Sequence, residues 1–208
     1  MKFFATAMAA MALMMGHAFG QELALGTAAP MAEAPLLGID GQTHTLQSLR
    51  GEEGLLVIFS CNTCPFVVGN GTKTEGWEGR YNGLHEVAKS LNIGMVLVNS
   101  NEAKREVDDS YTAMKTHAKD AMYTMQYVVD EASKLANACG ARTTPHVYLF
   151  DKNLELAYRG SIDDNVNRAE DVKETYLVDA MERMAAGKNI KTPETKALGC
   201  SIKRVASN

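Results

Sequence analysis

The stretch Ser60-Cys61-Asn62-Thr63-Cys64-Pro65 decides the fold, because it joins a strand pattern to a helical one. The residues before it, Leu55 to Phe59, are all apolar, as in a strand buried on both faces. The two cysteines therefore lie at the positive end of a helix dipole. This position favours the thiolate and lowers the pKa of a thiol from about 8.5 toward roughly 3.5–7.5. Such a dithiol forms and releases a disulfide, so the pattern indicates a redox protein.

The first twenty residues have the composition of a secretory signal peptide. Lys2 is the only charge, Phe3 to Met15 is apolar or small apart from one threonine, and Ala18-Phe19-Gly20 provides small residues at the cleavage positions. The apolar run is too short to span a bilayer. We therefore predict that residues 1–20 are removed and that the protein is periplasmic or secreted, without a stable membrane span.

Composition argues against one large class of partner. The chain has 21 basic and 25 acidic residues and a formal net charge of −4, with no basic patch or charged tail. Proteins that bind nucleic acid usually carry a strongly basic surface. We therefore expect no nucleic-acid partner.

The remainder of the chain divides into a lead-in (21–35), one domain (36–190) and a C-terminal tail (191–208). A hairpin is predicted within 36–49, with its turn at Asp40-Gly41. Strands are then predicted at 55–60, 93–98, 125–129, 146–150 and 154–160, and helices at 77–91, 102–119, 132–139 and 169–186. This alternation predicts an α/β fold: a central, mixed and mostly parallel sheet flanked by helices, with an N-terminal β-hairpin extension.

A second motif lies directly before the strand at 146–150. Pro145 would enter a central strand, where its fixed φ and missing N–H disrupt the hydrogen-bond ladder. A cis Thr144–Pro145 bond would accommodate it, and cis bonds are mainly a proline feature. The alternative is an ordinary proline that leads into a strand.

Together these features resemble the thioredoxin superfamily, and within it the redoxin branch with its peroxiredoxin-like subgroup. The resemblance covers roughly residues 34–187. It rests on Leu55–Ser60 with Cys61-x-x-Cys64, Gly140–Pro145, Leu149–Asp151 and Tyr158–Gly160, and, for the subgroup, on Cys61–Phe66, Asn99–Asn101 and Gly199–Lys203. A thioredoxin-like fold is therefore expected.

The resemblance also implies a function and roles for individual residues. It implies a thiol-disulfide oxidoreductase that exchanges disulfides with protein cysteines, works with a redox partner protein and needs no cofactor. Cys61 would be the exposed nucleophile, and Cys64 would resolve the mixed disulfide. Pro145 would pack against the sulfurs, and the backbone of Thr144 would bind a substrate peptide as an added strand.

Departures from the superfamily leave alternatives open. Ser60 replaces the usual tryptophan, and Leu55–Phe59 lacks the buried acid that moves the proton of the resolving thiol. The direction of electron flow is therefore not predicted. A thiol peroxidase is the main alternative: peroxiredoxins carry threonine three residues before the peroxidatic cysteine, and Cys61 stands three before Cys64. Arg142 or Arg159 would then supply the charged donor.

The other candidate residues are a histidine and two further cysteines. His146 follows the proline, where a histidine is more often a strand residue with a satisfied ring, so we give it only a minor role as a modulator of the Cys61 pKa. A non-enzymatic copper or zinc module formed with both thiols is the alternative, and we predict no metal. Cys139 and Cys200 are predicted to form a structural disulfide that ties the tail to the domain. A relay of electrons through them is one alternative, and a lone buried core thiol at Cys139, on the apolar face of its helix, is another.

Overall fold

The computed structural model describes residues 21–205, so the predicted signal peptide lies outside the described residues. A seven-stranded mixed sheet forms the centre of the fold. The elements are β1 (Leu36–Gly38), β2 (Thr43–His44), α1 (Leu46–Leu49), β3 (Gly54–Ser60), α2 (Pro65–Val68), α3 (Tyr81–Ser90), β4 (Ile93–Asn99), α4 (Tyr111–Asp120), β5 (Gln126–Val129), α5 (Lys134–Cys139), β6 (Thr143–Thr144), β7 (His146–Asp151), β8 (Leu156–Gly160), α6 (Tyr176–Ala185) and β9 (Cys200–Ser201).

The sheet has the strand order β2-β1-β5-β4-β3-β7-β8. Its three middle strands are parallel: β3 pairs with β4 from Gly54↔Ile93 to Ser60↔Asn99, and β4 pairs with β5. The outer pairs are antiparallel on both sides. Every residue of β3 is buried, as its apolar sequence predicts for a central strand. The predicted α/β class, with a mixed sheet flanked by helices and an N-terminal hairpin, is confirmed.

Alternate residues of β3 pack into two separate cores, because successive side chains of a strand point to opposite faces. Leu56 and Ile58 join a cluster completed by α3, α4 and α6, and Cys61 and Cys64 also belong to this cluster. Leu55, Val57 and Phe59 join the cluster on the other face, completed by α1 and α5. The two faces therefore separate the Cys61–Cys64 pair from groups on α5.

The predicted helix at 102–119 is wrong in its first half. A short 3-10 turn covers residues 102–104, and α4 begins only at Tyr111. The residue before it, Ser110, caps the helix with its side chain, which accepts the N–H of Ala113 at 3.2 Å. Asp109 is fully buried, whereas Val107, which a continuous helix would place on one face with Tyr111 and Met114, is 56% exposed. Hydrogen bonds to the Asp109 carboxylate replace the expected helical turn, and the site below depends on them.

The hairpin prediction is confirmed only for its first part. β1 and β2 pair antiparallel, but the chain after them forms the short helix α1. Thr45 and Ser48 form a capping box there, with the Ser48 N–H donating to Thr45 Oγ1 at 3.0 Å and the Thr45 N–H to Ser48 Oγ at 2.9 Å. This reciprocal pair favours a helix start over a longer strand.

The C-terminal segment lies along the body of the protein. Thr195 donates its N–H to the Arg159 carbonyl at 3.1 Å, and the Ala103 N–H donates to the Lys203 carbonyl at 2.8 Å. Between these anchors β9 pairs antiparallel with β6. Within residues 21–205, none of the helices has the length and apolar character that crossing a bilayer requires.

Two substitutions test where α4 begins. Met114→Ala removes a fully buried side chain and should lower the free energy of unfolding by roughly 2–5 kcal/mol. Val107→Ala removes a more exposed one and should change it by no more than about 0.5 kcal/mol. Urea denaturation followed by circular dichroism measures both, and a Val107→Ala loss as large as that of Met114→Ala would contradict the description of this segment.

Candidate active site

The two central cysteines lie where β3 leads into α2. Cys61 follows the last residue of β3, and Cys64 is the residue that caps the start of α2, with Pro65 in its first position. The N–H groups of Val67 and Val68 donate to the Cys64 carbonyl at 2.7 and 2.9 Å. Strand and helix together fix the dithiol loop at the end of the sheet.

Thr144 contacts both sulfurs from the neighbouring loop. Its hydroxyl lies 3.2 Å from Cys61 Sγ, and its carbonyl accepts a hydrogen bond from the Cys64 thiol at 3.1 Å. The Thr144–Pro145 peptide bond is cis, and both residues are buried. The dithiol and the proline loop, more than eighty residues apart in sequence, therefore form one site.

The exposure of the dithiol differs from the sequence-based expectation. Cys61 was expected to be the exposed nucleophile, but Cys61 is only 2% exposed and Cys64 4%. Both sulfurs are covered by apolar neighbours of the first core cluster and by the Thr144 loop. A reaction partner therefore reaches them only when a covering segment moves.

The pKa values of the two thiols are shifted in opposite directions. A hydrogen bond from the Cys61 thiol lowers the pKa of Cys64 to about 5, helped by the thiol and backbone N–H of Cys200 and opposed by burial. The same hydrogen bond, burial and the charge of Asp109 raise the pKa of Cys61. The Thr144 carbonyl accepts the Cys64 thiol at 3.1 Å and so favours a protonated Cys64. The pKa directions of the pair favour the thiolate on Cys64 over Cys61.

A buried carboxylate beside the dithiol was missed by sequence reasoning. Asp109 accepts hydrogen bonds from the Asn62 N–H at 2.9 Å, Asn99 Nδ2 at 2.7 Å and Asn101 Nδ2 at 3.0 Å. Tyr127 donates its hydroxyl to the Asn62 side chain at 3.0 Å. The network fixes the residue between the two cysteines. The sequence motif Asn99–Asn101 contains two of the donors, but the helix predicted at 102–119 contains Asp109 and gives no sign of its role.

Comparison with known proteins identifies the family. Residues 24–176 match the redoxin family, which is well over half of the chain. The protein is a member of the redoxin family. Membership confirms the resemblance drawn from the sequence and supports an oxidoreductase at the general level. No curated protein matches the sequence significantly.

Solved structures similar to this redoxin share its thioredoxin-like fold. An uncharacterized conserved protein from Geobacillus kaustophilus is 28% identical, with a TM-score of 0.77 over 89% of this chain and 94% of that one. A putative thiol:disulfide interchange protein DsbE from Chlorobium tepidum is 18% identical, with a TM-score of 0.54 over 80% and 98%. Peroxiredoxin Q from Xanthomonas campestris is 16% identical, with a TM-score of 0.53 over 79% and 96%.

His146 does not lie beside the sulfurs of this redoxin. It belongs to β7, and its ring packs at 4.8 Å from that of Tyr148, on the face of the sheet opposite the dithiol. Burial, with Arg159 and Arg142 nearby, lowers the pKa of His146 to about 3, so the ring is neutral. A neutral ring across the sheet cannot stabilise a thiolate. His146 is a buried strand residue whose Nδ1 accepts the Arg142 N–H at 3.3 Å, the commoner role of a histidine at this place.

The structure does not bring Cys139 and Cys200 together. Both are free thiols. Cys139 is buried at the end of α5 in the second core cluster, where burial raises its pKa. Cys200 pairs with Thr144 and packs on the first cluster, near Cys64. The expected disulfide is corrected because β9 carries Cys200 to the dithiol, on the face of the sheet away from α5.

The arginines named as charged donors to a peroxide, and the residues named as alternative metal ligands, do not gather at the dithiol. Arg159 Nη2 lies 2.9 Å from Glu194 and Nη1 donates to the Leu23 carbonyl at 2.7 Å, while Arg142 is largely exposed and faces Glu22. Among residues 21–205, His, Cys, Asp and Glu side chains form no group of three arranged to hold a metal ion. The set Cys61, Cys64 and His146 is split across the sheet.

The assignment of the thiolate can be tested by its absorbance at 240 nm. The reduced protein should gain the absorbance of one thiolate with a midpoint near pH 5, the value to which the Cys64 pKa falls. Cys64→Ala should remove this step, and Cys61→Ala should move it to higher pH because the main donor is lost. Cys139→Ala is the matched control and should leave it in place. A midpoint above about 8, or a step lost with Cys61, would contradict the assignment.

Proposed function

We propose that this redoxin is a thiol-disulfide oxidoreductase that acts on protein cysteines through Cys61 and Cys64. The observation that carries the proposal is the contact of both sulfurs with Thr144, combined with one acidic and one proton-holding thiol. Exchange needs a thiolate that attacks and a second thiol close enough to resolve the product. The pair meets both needs.

In the proposed reaction the Cys64 thiolate attacks a substrate disulfide. A Cys64–substrate bond forms, and the other substrate sulfur leaves as a thiolate. Cys61 then loses its proton and attacks the Cys64 sulfur, which releases the second substrate thiolate and leaves a Cys61–Cys64 disulfide. Two electrons pass to the substrate, and the leaving thiolates take up protons. Run backwards, the same steps oxidise a substrate dithiol.

Thr144 and Pro145 are proposed to hold the substrate peptide beside the sulfurs. The backbone of a residue next to such a dithiol can pair with an extended peptide. In the structure the chain's own β9 pairs with this edge, with Thr144 opposite Cys200. A protein substrate therefore has to displace β9 before it reaches Thr144.

The proposal includes a compartment and a partner. Export of the chain through residues 1–20 would place the domain at 36–190 in the periplasm or outside the cell, where protein disulfides form and persist. A separate redox protein would then return Cys61 and Cys64 to their starting state after each cycle.

A thiol peroxidase is the second candidate. The observation in its favour is the low pKa of Cys64, about 5, with Cys61 three residues before it in the place where peroxiredoxins carry threonine. The pairing of Arg142 and Arg159 with Glu22 and Glu194 weighs against it, because a peroxide site needs a charged donor.

Insulin reduction tests the exchange function. With dithiothreitol, the wild-type protein should reduce insulin disulfides faster than dithiothreitol alone, and Cys64→Ala and Cys61→Ala/Cys200→Ala should fall to that background. The Cys61→Ala/Cys200→Ala variant should retain an insulin chain bound covalently to Cys64. A wild-type rate equal to that of a Cys61→Ala/Cys64→Ala double variant would refute the proposal.

Peroxide consumption separates the two candidates. Under the exchange proposal, wild-type protein and Cys64→Ala should consume hydrogen peroxide at similar slow rates with dithiothreitol as reductant. Rapid consumption that depends on Cys64, without insulin reduction, would favour the peroxidase instead.

A further inference from the structure

Three thiols meet at Thr144. β9 pairs antiparallel with β6, in the register Thr144↔Cys200 and Thr143↔Ser201. The carbonyl of Thr144 accepts from the Cys64 thiol at 3.1 Å, and its hydroxyl lies 3.2 Å from Cys61 Sγ. Cys200 packs against the core cluster that contains Cys61 and Cys64, and its thiol and backbone N–H lie near the Cys64 sulfur.

The C-terminal segment is shaped to hold Cys200 at this place. Gly199 lies so close to Thr144 that a Cβ atom on it would be 2.3 Å from the Thr144 carbonyl oxygen. After Cys200, Ile202 is buried in the second core cluster and donates its N–H to the Arg142 carbonyl at 3.0 Å. The Lys203 N–H then donates to Asn101 at 2.8 Å. Close approach on one side and anchors on the other fix the thiol.

The edge that β9 covers is the one proposed above for a substrate peptide. A strand added at Thr144 places its own cysteine beside the dithiol, and Cys200 is the cysteine of the strand that lies there. Cys200 is only half-buried, unlike the other three cysteines. A half-buried thiol at this place can react with a partner protein. A thiol that only fills an apolar core would be buried, as Cys139 is.

We propose that Cys200 is a third redox-active cysteine, which β9 presents to Cys64 in the place of a substrate cysteine. The inference rests on the proposed function, because it uses the same dithiol and the same edge. Cys64 is the sulfur shared by two alternative disulfides, one with Cys61 and one with Cys200.

The exchange between these disulfides conserves electrons. Starting from the Cys61–Cys64 disulfide, Cys200 loses its proton and attacks the Cys64 sulfur. The Cys64–Cys200 bond forms, the Cys61–Cys64 bond breaks, and Cys61 leaves as a thiolate that takes up a proton. No electrons enter or leave the protein. The disulfide then includes Cys200 of the half-buried strand β9, which a partner protein reaches more easily than the buried Cys61–Cys64 pair.

Oxidised glutathione applied to the Cys61→Ala variant tests the proposal. The Cys64 thiolate attacks glutathione disulfide and releases one glutathione. Cys200 then attacks the Cys64 sulfur and releases the second, so that glutathione disulfide is reduced and a Cys64–Cys200 disulfide forms. Because a thiol fixed beside its partner has an effective concentration of at least millimolar order, this bond should outcompete dimers at micromolar protein. Mass spectrometry of unreduced peptides identifies the bond.

Matched variants make the outcome decisive. Cys61→Ala/Cys139→Ala should still form the Cys64–Cys200 bond, whereas Cys61→Ala/Cys200→Ala should keep glutathione on Cys64. Stable glutathione on Cys64 beside a free Cys200 in the Cys61→Ala protein, or three unreacted thiols there, would overturn the proposal. Wild-type protein treated in parallel reports the Cys61–Cys64 disulfide. Its presence without a Cys64–Cys200 bond in the variant would refute only the role of Cys200, and its absence would count against the proposed function.

The role of β9 in placing the thiol has its own test. In the Cys61→Ala background, Gly199→Ala should slow closure of the Cys64–Cys200 bond by about tenfold or more, since a misplacement of about 1 Å can cost on the order of 100-fold. Gly83→Ala, where an added Cβ meets no atom within 4 Å, is the control and should close at the unaltered rate. Equal rates in the two variants would contradict the placement.

Discussion

The contact between Thr144 and the sulfurs is the constraint on which the rest of the site depends. Its hydroxyl faces Cys61, its carbonyl faces Cys64, and its backbone pairs with the strand that carries Cys200. The sheet makes this contact possible, because β3 and β7 are adjacent and antiparallel, so the end of β3 meets the start of β7. The proline loop before β7 therefore lies beside the dithiol loop after β3.

Local electrostatics then distinguishes similar thiols. Neighbouring donors lower the pKa of Cys64 to about 5, while the Thr144 carbonyl accepts its thiol. Cys61 lies near the Asp109 carboxylate, which opposes a second negative charge. Cys139 is buried among apolar groups on the other face of the sheet and lies outside the chemistry. Position relative to Thr144 separates the three cysteines that lie at the site from Cys139, which packs in the other core.

The sequence predicted the parts of this protein that depend on local pattern. An apolar strand, two cysteines three apart and a proline before the next strand were sufficient for the α/β fold and for the placement of Cys61, Cys64 and Thr144 in one site. Long-range contacts were not predictable. Nothing local to Asp109 indicates that three asparagines would draw it inward. Likewise, the predicted Cys139–Cys200 disulfide is wrong because the sequence does not tell which face of the sheet a tail covers.

The most direct test of the account is a redox titration of the wild-type protein against glutathione and dithiothreitol buffers, with Cys61–Cys64 quantified by mass spectrometry at each step. The account predicts a reversible two-electron transition of this pair within the range of thiol-disulfide exchange proteins, about −270 to −120 mV. A dithiol that forms no Cys61–Cys64 disulfide anywhere in that range would contradict it.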